Sequence, residues 1–206
     1  MRKNKSLIIM AVIFVVLIAG AYVLYARLGT DNPTDKLTVT ETDETSYETA
    51  KPDGEPDEKT AEQEETQTVA APDFTVYDAD GNAVTLLQNT GKPVIVNFWA
   101  SWCGPCKSEM PDFDKLYKEL GDDIVFMMVN MTDGSRETVE TASEYISDNG
   151  YSFPVYYDTE QDAAITYGAS AIPMTVFIDA DGNAAAQARG AINEETIRKG
   201  IDMIMN

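Results

Sequence analysis

The sequence predicts an α/β protein, a mixed β-sheet flanked by helices, carried by residues 71–206 of a 206-residue chain. Three observations point to this class. Short apolar runs at 94–99, 124–130 and 174–178 have the length of buried strands. Between them lie segments whose apolar residues recur at helical spacing, such as Met110, Phe113, Leu116, Tyr117 and Leu120. Two copies of Asp-Ala-Asp-Gly-Asn, at 78–82 and 179–183, separate paired extended stretches in the manner of hairpin turns.

Taken in order, 73–77 and 83–87 form an N-terminal hairpin and 94–99 a central strand. A helix follows over 103–120, with Pro111 expected to kink it and Gly121 to end it. Residues 124–130 make a second central strand, and 135–147 a helix stopped by Asn149-Gly150. An extended piece at 153–157 precedes a short helix at 160–167. A closing hairpin, 174–178 with 184–189, leads to a final helix at 193–205 that turns Ile197, Ile201 and Ile204 to one face. This order implies helices on both faces of the sheet. Calcium is the rival reading of the Asp-rich turns, but the twelfth positions of EF-hand-like loops would be Asn89 and Gly190 rather than Glu. Asn130-Met131-Thr132 is formally a glycosylation sequon.

Two further segments precede the domain. Residues 1–28 combine Arg2, Lys3 and Lys5 with an uncharged apolar run over 7–26, long enough at about 1.5 Å per residue to span a ~30 Å hydrocarbon core. They are expected to form a single-pass anchor with a cytoplasmic N-terminus, placing the domain outside the cell membrane. Cleavage near Ala19-Gly20-Ala21 as a signal peptide is the alternative. Residues 29–70 are expected to be a flexible linker: 13 acids face three lysines there, with almost no large apolar side chains to offset the entropy of ordering. The domain itself carries 22 acids and 8 bases, which excludes nucleic acid as a partner.

The chemistry rests on the only two cysteines, in Trp102-Cys103-Gly104-Pro105-Cys106, in a chain without histidine. A helix starting at Cys103 brings the two sulfurs within bonding reach. Structural zinc would need four Cys or His ligands, and covalent haem a histidine where Lys107 stands. A purely structural disulfide remains open, although so small a loop gains little entropically. As a redox pair, Cys103 at the helix N-terminus has the favoured thiolate and is the nucleophile; Cys106, one turn further in, is the resolving thiol. No cofactor beyond the Cys103–Cys106 disulfide and no metal is expected.

The run Val96-Asn97-Phe98-Trp99-Ala100-Ser101-Trp102-Cys103-Gly104-Pro105-Cys106-Lys107-Ser108-Glu109-Met110-Pro111 resembles the thioredoxin superfamily, and within it the extracytoplasmic TlpA/ResA-like branch. Ala71-Pro72-Asp73-Phe74 and Ala171-Ile172-Pro173-Met174 extend the likeness over essentially all of 71–206. The resemblance implies a thioredoxin-like fold with an added N-terminal β-hairpin. It also implies a cis Ile172–Pro173 bond set against the cysteines, where the residues alone would suggest a trans proline opening a strand. Asn97 stands where cytoplasmic thioredoxins carry a buried Asp. Glu109 occupies the branch's Glu position, on the helical face of the dithiol, as a proton acceptor and donor; a plain exposed helix former is the alternative. Trp102, Ile172 and Met174 would form an apolar substrate rim.

The implied activity is that of an extracytoplasmic thiol–disulfide reductase acting on disulfide-bearing client proteins, such as apocytochrome c or a repair enzyme. A membrane-embedded, CcdA/DsbD-like thiol carrier would supply the electrons. The same fold run as an oxidant, a peptide-binding holdase and a peroxiredoxin-like peroxidase are the alternatives; the last lacks a Thr-x-x-Cys pattern before Cys103.

Overall fold

The computed structural model describes residues 37–39, by their backbone, and 69–205. The chain divides into two units, Met1–Pro33 and Thr34–Asn206, and every described residue belongs to the second. The expected membrane span at 7–26 lies outside the described residues, among which no helix is long and apolar enough to cross a membrane.

Among the described residues nine strands form one sheet: β1 (Leu37–Val39), β2 (Val69–Ala70), β3 (Thr75–Tyr77), β4 (Ala83–Thr85), β5 (Val94–Trp99), β6 (Val125–Asn130), β7 (Val155–Tyr157), β8 (Met174–Ile178) and β9 (Asn183–Arg189). Among the described residues four α-helices accompany them, α1 (Gly104–Leu120), α2 (Val139–Asn149), α3 (Asp162–Tyr167) and α4 (Glu194–Ile204). The strand order is β1-β9-β8-β5-β6-β7-β3-β4, with β2 also on β9. β5, β6 and β7 run parallel; β8 and β9 continue antiparallel on one side, and the β3–β4 hairpin closes the other. The expected mixed sheet with an added hairpin is thus present.

All six residues of β5 are buried. Their alternation feeds two cores. Ile95 and Trp99 pack with α1, α2 and α4 through Met110, Phe113, Ala142, Ile197 and Ile201. Val94, Val96 and Phe98 pack on the opposite face with Phe74, Val76, Leu86 and Ala163 of α3. Gly200 lets α4 lie directly on β8, since a Cβ there would stand 2.4 Å from the Phe177 ring.

Several boundaries differ from expectation, each for a local reason. α1 continues through Pro111 for 17 residues, with tertiary packing of Met110 and Phe113 outweighing the missing hydrogen bond. α2 starts at 139 rather than 135, because Thr138 and Thr141 form a capping box and Asp133 Oδ1 gathers the N–H groups of Ser135, Arg136 and Glu137 into a separate turn. α3 starts at 162 because Gln161 takes a left-handed φ of 58° and the Asp158 carboxylate accepts from Ala163 and Ala164 N–H. Leu37–Val39, within the segment read as a flexible linker, pairs with Ala186–Ala188 of β9; a strand edge offers partners even to a short stretch. The Asp-rich pentapeptides are hairpin turns in which Asp78 and Asp179 accept from Asn82 and Asn183 N–H. Asn130 of the sequon is fully buried and donates to Glu137, so no glycan can reach it.

Candidate active site

β5 ends at Trp99 and the chain turns through 100–102, where Cys103 N–H donates to Ala100 C=O. Cys103 is the N-cap of α1, in an extended conformation, and its Sγ accepts from Cys106 N–H at 3.2 Å. Sulfur here takes the place of the usual Ser or Asp oxygen, satisfying one orphan donor of the first turn. Pro105, in that same turn, has no N–H to leave unpaired. The two sulfurs are joined, with Cα atoms 5.3 Å apart, and Cys103 keeps 4 % of its surface while Cys106 keeps none. The more accessible cysteine is therefore the one at the helix N-terminus, where the dipole favours a thiolate.

Ile172–Pro173 is cis, as the resemblance implied. The Ile172 carbonyl oxygen lies 3.7 Å from Cys103 Sγ, and Pro173 C=O accepts from Gly190 N–H, so this loop is held from beneath by the chain leaving β9. Met174 does not join the rim as expected. It opens β8 with its side chain turned into the core beside Phe98 and Val176, and it is fully buried. Trp102 and Ile172 do reach the surface, and they line a groove of about 250 Å³ with Met131, Asp133, Gln161 and Ser170.

Glu109 is only 2 % exposed, not the surface helix former of the plain reading. Its Oε1 accepts from Asn97 Nδ2 at 2.8 Å and its Oε2 from Ile192 N–H at 3.0 Å. Asn97 Nδ2 also donates to Thr175 Oγ1. Burial pushes the carboxyl up to about 7; the two hydrogen bonds pull it down, and Asp112 adds a smaller upward push. A group poised there takes and returns a proton at neutral pH.

Two residues at the site were not anticipated. Glu137 is fully buried; its Oε1 accepts from Ser101 N–H and Asn130 Nδ2, and its Oε2 from the Ser101 hydroxyl, each at 2.7 Å. Arg136 lays its guanidinium 3.7 Å from the centre of the Trp102 ring. Consecutive residues of the β6–α2 loop thus grip consecutive residues of the loop that delivers Cys103. A Glu that follows a strand ending in Asn is the only trace of this in the sequence.

A family model described as the AhpC/TSA family matches residues 68–187. The thiol-disulfide oxidoreductase ResA of Bacillus anthracis is 35 % identical over 130 residues, covering 62 % of this chain and 72 % of that protein. The ResA of Bacillus subtilis strain 168 is 31 % identical over 137 residues, covering 65 % and 73 %. The chain is a ResA-like member of the thioredoxin superfamily. A thiol:disulfide interchange protein of Chlorobium tepidum, 25 % identical, superposes on this ResA-like domain with a TM-score of 0.60 over 69 % of this chain and 99 % of its own. The ResA-like chain is therefore a thiol–disulfide oxidoreductase, and its Cys103–Cys106 disulfide fits a Cys-X-X-Cys motif.

Proposed function

We propose that the protein is a membrane-anchored reductase of client disulfides outside the cytoplasm. The observation that carries the reading is the joined cysteine pair at the start of α1, with Cys103 as its more accessible member and a buried carboxyl of pKa about 7 one turn beyond Cys106. The Cys103 thiolate attacks one sulfur of the client disulfide, forming a mixed disulfide and releasing the other sulfur as a thiolate. The Cys106 thiolate then attacks Cys103 Sγ, freeing the second client thiol and leaving Cys103–Cys106 oxidised by two electrons. Glu109 holds and returns the Cys106 proton, and Ile172 offers its carbonyl to the client backbone. The dithiol supplies both electrons in these steps.

The basic N-terminus and the apolar run at 7–26 support the anchored, outward-facing placement. A membrane-embedded thiol carrier would re-reduce the pair, and apocytochrome c or a repair enzyme would be clients. The test is insulin reduction with dithiothreitol, expected for the wild type and absent from Cys103→Ser. The reduction potential fixes direction: a value nearer thioredoxin's roughly −270 mV than DsbA's roughly −120 mV supports the reductase, and the reverse makes the protein an oxidant. In the native host, Cys106→Ser should accumulate mixed disulfides on Cys103 that name the clients; recovery of small thiols alone would remove the dedicated protein client.

A further inference from the structure

Residues 71–206 contain eight cations among 22 acids, and their pairing divides sharply. Lys115, Lys118, Arg198 and Lys199 are each held by a carboxylate, and Lys92 Nζ donates to Asp122 C=O. The other three, Lys107, Arg136 and Arg189, are exposed, and among the described residues none of their side chains has an ion pair or a hydrogen bond. All three stand at the active-site end of the sheet. Arg136 lies over Trp102, next to Cys103. Lys107 follows Cys106 and sits 5.0 Å from the Tyr145 ring centre. Arg189 ends β9 opposite Met174, directly after the cis proline.

Of the acids nearby, Glu137 and Asp158 are buried, whereas Asp133 is exposed and interacts electrostatically with Arg136. Glu137 is buried on Ser101 and Asn130. Asp133 Oδ1 accepts from three backbone N–H groups, and both oxygens of Asp158 accept from the start of α3. The free donors around Cys103 are thus cationic on a domain that is otherwise strongly acidic. Stacking on Trp102 holds the guanidinium in place while leaving its planar fork of N–H groups open, the geometry that takes a carboxylate in bidentate fashion.

We propose that this basic rim selects client segments carrying Asp or Glu beside the reactive disulfide, with Arg136 the principal contact and Arg189 and Lys107 flanking it. The inference rests on the oxidoreductase reading above and specifies its substrate class. Acidic residues elsewhere on the domain repel such a client from other approaches, so the rim also orients its arrival.

The experiment uses the full chain in detergent, recycled by dithiothreitol, and three synthetic peptides with one internal disulfide each. They differ only in having Glu, Gln or Lys next to the cysteines. The wild type should reduce the Glu peptide with a kcat/KM about fivefold above the Gln peptide at low salt, the Lys peptide falling below both, and 1 M salt should erase the difference. Arg136→Gln and Arg189→Gln should each lower the Glu/Gln ratio, while Lys92→Gln, at the far end of the sheet, should keep it. Equal rates for the three peptides, a preference for Lys, or a ratio unmoved in both arginine variants overturns the proposal. Failure to reduce the uncharged Gln peptide at all would instead overturn the activity on which it rests.

Discussion

Asn97 Nδ2 donates to Glu109 Oε1 across 2.8 Å, and neither side chain has more than 2 % of its surface in contact with solvent. A strand residue of β5 thus holds the buried carboxyl of α1 through one oxygen, while Ile192 N–H holds the other. Both donors face carboxylate oxygens, a geometry built for the ionised form inside an environment that penalises it. That balance puts the group near neutrality.

Stability should therefore fall as pH rises through the interval between about 4.5 and 7. In that interval the folded state keeps the Glu109 proton and the unfolded chain has lost it, so ionisation favours unfolding. The contribution is on the order of 3 kcal/mol, levelling off above pH 7. Urea unfolding of the oxidised protein checks it, since the joined cysteines do not titrate and the chain has no histidine. Glu109→Gln should flatten most of the slope; Asp158, also raised by burial, leaves a smaller residue of it. A wild-type stability that climbs from pH 5 to 7.5 would falsify this.

Asn97→Ala removes one of the two hydrogen bonds that oppose burial, so the Glu109 carboxyl should move above 7. The pH dependence of cysteine alkylation in the reduced protein should move with it. Carboxyl ¹³C shifts give the direct reading, and a Glu109 midpoint that stays or drops removes Asn97 from the proton path.

Glu137→Ala should cost about 2–4 kcal/mol, because Ser101 N–H and Asn130 Nδ2 lose their buried acceptor. Ser101→Ala loses only the hydroxyl bond and should cost about 1 kcal/mol. The double variant should be little worse than Glu137→Ala alone, as expected for residues in one network. Additive losses in denaturant titrations would mean the two act separately.

Gly200→Ala should destabilise by about 1–3 kcal/mol or more, since its Cβ would stand 2.4 Å from a fully buried Phe177 ring. Shortening that ring, as in Phe177→Leu, should recover part of the loss in the double variant. Unfolding midpoints for the four proteins decide the point, and a neutral Gly200→Ala would mean that α4 shifts freely.

What could be read from the chain depended on range. The central strands, α1 and both hairpins were legible because apolar period and Asp-Gly-Asn turns are local signals. Cys103 and Cys106 were legible as a spacing at a helix start, and Glu109 only through the resemblance to the TlpA/ResA-like branch. Met174 departs from its expected place because adjacency to Pro173 does not say which way the first residue of a strand points; pairing with β5 turns it inward. Glu137 and Arg136 escaped because their meaning comes from Ser101 and Trp102, more than thirty positions earlier. The start of α2 escaped because Asp133 offered three backbone N–H groups an alternative to the helix.

β9 is a strand of small side chains, Asn-Ala-Ala-Ala-Gln-Ala-Arg, whose outer side is taken by Leu37–Val39 and Val69–Ala70 of the same molecule. These two short strands therefore cap an edge that would otherwise offer its backbone groups to another chain. A shortened protein beginning at Ala71 would present that row of unpaired amides to its neighbours, and light scattering should find it forming dimers or larger species at concentrations where the full chain does not.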